Sequence, residues 1–190
     1  MEQPKSVLLV MDVQQGIISR LGDRVTDYLE RVKRAVEAAH QVGIPVYFIV
    51  VRFRKGAPEM SPDNKMFTAF KNAGSGSAMD ESSPNTQPVI TPGENDLVIA
   101  KKRISAFAGS DLAMILRAQG IKHLVLCGVS TSGVVLSTLR QAADKDYILT
   151  VLSDGCLDHD EEVHGILMDK IFPRQAEVMT VDAWVKSLGK

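Results

Sequence analysis

A three-layer α/β/α sandwich built on a parallel six-stranded sheet is the fold class this sequence predicts. Three observations carry it. Short apolar runs alternate with helical patterns along the whole chain, the rhythm of a parallel sheet covered on both faces. Runs such as Val7-Leu8-Leu9-Val10-Met11 and Leu124-Val125-Leu126-Cys127 are apolar throughout, as strands buried on both sides must be. The 190 residues, 45% hydrophobic and 24% charged, are enough for one domain with a full core.

The elements follow in order. Residues 6–13 form a first strand, expected at the centre of the sheet. Val25, Tyr28, Leu29, Val32, Val36 and Ala39 recur at intervals of three and four, a helix that Gly43 can terminate. Residues 45–51 and 96–100 are the second and third strands. Leu112, Ile115 and Leu116 mark a helix stopped at Gly120. Residues 122–127 are the fourth strand, leading into a helix over 132–144. A fifth strand at 147–153, a helix at 161–171, a sixth strand at 176–180 and a closing helix at 183–188 complete the chain.

One segment breaks this rhythm. The connection 53–95 is far longer than usual and rich in Gly, Ser, Pro and Asn, so it reads as an insertion within a single domain spanning 1–190. Its part 71–77 looks flexible, whereas Met66, Phe67 and Phe70 have the spacing of a short packed helix. Ligands of open α/β sheets sit beyond the carboxyl ends of strands, where this loop emerges. It is expected to form a pocket wall or a subunit interface.

Composition narrows the partners. A formal net charge of −1, with Lys and Arg scattered, leaves no footprint for nucleic acid or an anionic membrane. No apolar run approaches the roughly 18–20 residues of a membrane span, and Met1-Glu2-Gln3-Pro4-Lys5 lacks the layout of a signal peptide. Two cysteines, Cys127 and Cys156, with no Cys-x-x-Cys pair, fit a reduced cytoplasmic protein. Cys127 reads as a buried strand residue. Cys156, placed just past the fifth strand, is harder to dismiss as inert.

Three motifs stand at the ends of predicted strands. The first is Asp12-Val13-Gln14, after five apolar residues; an Asp there either caps a turn or offers a carboxylate at the sheet edge. The second is Lys101-Lys102-Arg103-Ile104-Ser105-Ala106-Phe107. The third, Gly128-Val129-Ser130-Thr131-Ser132-Gly133-Val134-Val135, reads as a tight turn opening a helix, where backbone N–H groups converge. In this order and spacing the three resemble the isochorismatase-like cysteine hydrolases, over nearly the whole chain, and the resemblance implies their Rossmann-like fold. Aligned without a gap, the family's nucleophilic cysteine falls on Val134, whose isopropyl group cannot run thioester chemistry.

The resemblance implies roles for the other positions. Asp12 would be the general base and proton carrier, and Lys101 the ammonium paired with it; a one-residue slip would substitute Lys102, but the count back from Ser105-Ala106-Phe107 favours Lys101. Gln14, Phe107, Ser130 and Thr131 would contact substrate, although Phe107 reads equally as core and Thr131 as a helix cap. The turn's N–H groups would form an oxyanion hole, often beside a cis peptide before the residue at Ser130. No cofactor or metal is implied: His40, His123, His159 and His164 are dispersed. The Asp/His cluster of the nicotinamide-hydrolysing members is replaced here by Arg52-Phe53-Arg54-Lys55.

Three functions are compatible with this pattern. Isochorismatases of the family also lack the cysteine; their aspartate protonates a vinyl ether while water attacks. They carry a small residue where this chain has Val134. A small-molecule hydrolase without a cysteine nucleophile is the favoured expectation. A catalytically silent member that binds a small molecule or a partner is the alternative, and an amidase with a serine or Cys156 as surrogate nucleophile is a third. The family usually associates, and Met60, Met66, Phe67 and Phe70 would be exposed unless covered, so a homo-oligomer, dimeric or larger, is expected.

Overall fold

A computed structural model describes residues 4–72 and 78–189. Its six strands are β1 (Ser6–Met11), β2 (Val46–Val51), β3 (Leu97–Lys101), β4 (His123–Val129), β5 (Ile148–Leu157) and β6 (Glu177–Met179). They form one sheet in the order β3-β2-β1-β4-β5-β6, and every pairing is parallel. The predicted fold class is the one observed, with β1 beside β4 at the centre. The order reverses between β1 and β4, so a crevice is expected beyond their carboxyl ends.

The helices are α1 (Gln15–Ile18), α2 (Val25–Gln41), α3 (Lys65–Asn72), α4 (Leu112–Ala118), α5 (Leu136–Ala143), α6 (Glu161–Ile166) and α7 (Val181–Leu188). Strand alternation divides the core into two apolar layers. Val7, Leu9 and Met11 of β1 face one layer with Ile99, Leu112, Leu124, Leu126 and Leu139. Leu8 and Val10 face the other, against Tyr28, Val32, Ala35 and Ala39 of α2 and Trp184 of α7.

Three sequence expectations are corrected. The fifth strand continues to Leu157, so Cys156 lies inside it, opposite Gly128 of β4 and 3% exposed. The helix expected over 132–144 starts as a π turn, Thr131–Val135, in which Val135 N–H donates to Ser130 O at 3.3 Å. A second π turn, Leu167–Ile171, closes the helix expected over 161–171. Local periodicity does not separate a π turn from an α turn, because both present the same apolar face.

The long connection packs its own small core. Phe53, Ala57, Met60, Phe67 and Met79 form a third cluster, with the Phe53 and Phe67 rings edge to face at 5.8 Å. Of the four apolar side chains expected to be exposed, only Met66 is; Met60 and Phe67 are buried and Phe70 half-buried. Lys71 and Asn72 complete α3, and the rest of the segment expected to be flexible, 73–77, lies outside the described residues.

Candidate functional site

Asp12 follows the last residue of β1, and its backbone leaves the strand at φ +58° while its N–H still donates to Ile49 O at 2.8 Å. Asp tolerates this left-handed conformation better than most residues. Its effect is to take the carboxylate out of strand alternation. Lys101 ends β3, two strand spacings or about 9.6 Å from β1, a gap that a lysine side chain bridges. Lys101 Nζ reaches Asp12 Oδ2 at 2.9 Å and also donates to Arg103 O at 2.9 Å. Lys102 turns away and donates to Arg52 O.

The pair is buried: Asp12 is 6% exposed and Lys101 1%. Asp12 Oδ1 has no hydrogen-bond partner among the described residues. Burial pushes the Asp12 carboxyl up from its ordinary range, against the Lys101 ammonium, whose charge and hydrogen bond pull it down.

The turn after β4 starts beside the end of β1. Gly128 makes it possible: at φ +150°, a Cβ there would lie 2.3 Å from Met11 O and 2.9 Å from Met11 Cβ, so only glycine lets β4 approach β1 so closely. The Val129–Ser130 peptide is cis. Ser130 O accepts from Gly133 and Val135 N–H. Val134 is 2% exposed and belongs to the apolar layer of Met11, Ile99 and Ala106. It presents hydrocarbon.

The remaining expected site residues are placed as follows. Gln14 is fully buried, and its amide is used on backbone: Oε1 accepts from Val51 N–H at 2.6 Å, and Nε2 donates to Val51 O and Thr86 O at 3.1 and 2.9 Å. It therefore ties β2 and the long connection to the segment carrying Asp12. Phe107 is 7% exposed and stacks on Tyr147, which precedes β5 on the amino side of the sheet, with ring centroids 6.0 Å apart. Thr131 is buried, its hydroxyl 2.8 Å from His164 Nδ1. Ser130 is half-buried at the turn.

Two residues hold the turn that the sequence reading did not connect with it. Asp158 Oδ2 accepts from Ser132 N–H at 2.7 Å, and these backbone hydrogen bonds keep its carboxyl below the usual range against the effect of its burial. His164 meets Thr131, and burial pushes its imidazole down, toward the neutral form. Asp160, by contrast, caps α6 by accepting from Val163 N–H at 3.0 Å, a pattern visible in the sequence. No sequence signal marks which face of α6 meets the turn.

Neither cysteine is a ready nucleophile. Cys127 lies in the α2-side layer, and burial pushes its thiol up to about 12. Burial raises the Cys156 thiol well above its ordinary value; both stay protonated. Among the described residues no three His, Cys, Asp or Glu side chains cluster to hold a metal.

Two surface cavities lie elsewhere. One of about 1030 Å³ runs along the amino edge of the sheet, past Ile44, His123, Thr150 and Trp184. One of about 420 Å³ lies between α2, the end of β5 and α6. Neither is lined by Asp12, Lys101 or Val134.

Comparison with known proteins bears on the family and the fold. The isochorismatase domain model matches residues 6–183. A ureidoacrylate amidohydrolase, RutB, from Yersinia enterocolitica is 31% identical, the match covering 79% of this chain and 74% of RutB. The isochorismatase family protein YwoC from Bacillus subtilis is 27% identical over 97% of this chain and 94% of its own. A cysteine hydrolase from Pseudomonas syringae pv. phaseolicola superimposes with a TM-score of 0.89 at 19% identity, over 99% of this chain and 96% of that one. With a domain match over nearly its full length, on a sheet that brings the ends of β1, β3 and β4 together, this chain belongs to the isochorismatase family.

Proposed function

We propose that this protein is a small-molecule hydrolase that works without a cysteine nucleophile. Asp12 is its general acid/base, Lys101 is the cation beside it, and Val134 is an apolar wall at the nucleophile position. The observation that carries this reading is the buried Asp12–Lys101 pair with Asp12 Oδ1 unpartnered among the described residues. An ion pair buried this deeply adds little stability over an apolar pair, so its presence favours chemistry. With no nucleophile on the protein, water supplies the attacking oxygen, and Asp12 moves its proton between that water and the leaving group.

The rim supports an anionic substrate. Arg52, Lys102 and Arg103 are half-buried. Their hydrogen bonds run to carbonyls and the Gln87 amide, and Arg103 also lies 5.2 Å from the Phe67 ring centroid. No carboxylate pairs with any of the three among the described residues. A substrate carboxylate would balance them, as the substrate named for RutB would.

The alternative, a silent member that binds a small molecule or partner, draws on the enclosure of the pair and the hydrocarbon at Val134. A screen of small carboxylate-bearing amides, esters and vinyl ethers, with Asp12→Asn as control, separates the two. Turnover that falls by about a hundredfold or more in Asp12→Asn supports the hydrolase. Turnover indifferent to that change, or none on any substrate, would refute it.

A further inference from the structure

Among the described residues, two side chains from outside the turn Thr131–Val135 bond to it, and both line the surface cavity of about 420 Å³. One is Asp158, whose Oδ2 accepts from Ser132 N–H at 2.7 Å. The other is His164, on α6, whose Nδ1 lies 2.8 Å from the Thr131 hydroxyl. Thr131 is fully buried, and His164 is the one partner its hydroxyl has among the described residues. A buried O–H has to donate, so the neutral imidazole accepts at Nδ1 and keeps its own proton on Nε2. A protonated imidazole carries N–H on both nitrogens and accepts nothing. The bond donated by Thr131 therefore exists in one protonation state alone. His164 is half-buried and reached from the cavity, so its proton exchanges with solvent in the folded protein.

We propose that His164 is a positioning residue that holds this turn while its imidazole is neutral and releases the Thr131 hydroxyl once it is protonated. Protonation makes Nδ1 a donor aimed at the Thr131 oxygen and leaves the Thr131 O–H, 0% exposed, without an acceptor. Thr131 opens the turn, and Val134 is its fourth residue. The change is thus felt at the nucleophile position, where the tie to Asp158 remains. Burial pushes the His164 imidazole down, the Asp158 carboxylate pulls it up, Arg24 adds to the effect of burial, and Asp169 and Glu161 oppose it; the net is downward. Asp27 and Arg31 of α2 and Asp154 of β5 line the same cavity. The turn is held at neutral pH and loosened in acid. Neither a substrate nor a role for Asp12 enters this inference.

The test is an NMR titration of the full chain from about pH 8 to about pH 5, the range in which histidine changes charge. It follows the His164 imidazole, assigned by its loss in His164→Gln, together with the Ser132 amide and the Val134 methyls. In wild type the two turn signals should move with the His164 midpoint, and in His164→Gln they should lose that step. Coupling is reciprocal, so the turn must also act on the proton. Thr131→Val removes a hydrogen bond to the neutral ring and should raise the His164 midpoint by about 0.5–1 pH unit. Thr131→Ser restores the hydroxyl and should leave the midpoint where wild type has it. A purely structural Thr131 would change stability without moving the midpoint. Turn signals that do not follow His164, or a midpoint indifferent to Thr131→Val, would overturn the proposal; should Thr131→Val fail to fold, wild type against His164→Gln decides. The titration needs no substrate, so its failure leaves the hydrolase reading standing, and a failed substrate screen leaves this inference standing.

Discussion

Replacing Lys101 by Met should make the stability of this protein strongly dependent on pH. Met preserves most of the side chain's volume and removes the ammonium. The change leaves Asp12, 6% exposed, without the one hydrogen-bond partner its carboxylate has among the described residues. Breaking a buried pair in this way costs about 3–5 kcal/mol while the remaining charge stays ionised. The carboxyl can escape that cost by taking up a proton. Its folded pKa, already raised by burial, rises further once the Lys101 charge is gone. A carboxyl raised in the folded state contributes stability that is present below its unfolded value, about 3.9, and lost as pH climbs through the folded value. The limiting slope is about 1.4 kcal/mol per pH unit. Urea denaturation followed by circular dichroism should therefore show the variant about 3–5 kcal/mol below wild type at pH 7. At pH 5 the gap should shrink to about 1 kcal/mol, the residue of the lost hydrogen bond to Arg103 O. Asp12→Asn combined with Lys101→Met should recover most of the pH 7 loss. A deficit equal at both pH values would refute the idea that Asp12 is buried as a carboxylate against Lys101.

Other outcomes are expected. Val134→Cys should create a thiol that a small alkylating reagent modifies quickly, and adding Asp12→Ala should slow it, since the carboxylate accepts the thiol proton. Cys127 and Cys156, both raised by burial, supply a low background; a thiol inert in the folded protein would mean that the turn is not built as a nucleophile site. Gly128→Ala should prevent folding or cost more than about 4 kcal/mol, because its Cβ would meet Met11 backbone at 2.3 Å; a thermal unfolding midpoint near that of wild type would contradict the β1–β4 contact. Light scattering should show a homo-oligomer at micromolar concentration, with Met66 and Met114, 50% and 57% exposed, as candidates for covered surface; a monomer would reject this.

The fold was legible because its signal is local. Each strand of a doubly covered sheet must be an unbroken apolar run, and each covering helix must repeat at three and four. The runs at Val7–Met11 and Leu124–Cys127 and the stripe from Val25 to Ala39 suffice to read the sheet and its central strand. Asp12, Lys101 and the turn at Ser130–Val134 were singled out by the family resemblance; each also stands at the end of such a run, and a parallel sheet brings strand ends to one edge.

Tertiary structure decided what those residues do to one another. Only the strand order places Lys101 two strands from Asp12, and only the left-handed backbone of Asp12 turns its carboxylate toward that ammonium. Gln14 reads as a ligand-facing polar residue beside Asp12, yet distant chain segments, Val51 and Thr86, consume its amide. The same distance in sequence hid the pairing of Asp158 with Ser132 and of His164 with Thr131, 26 and 33 residues away. Periodicity records which face of an element is buried; hydrogen bonds and charges act between elements, and their geometry exists only once the layers have packed.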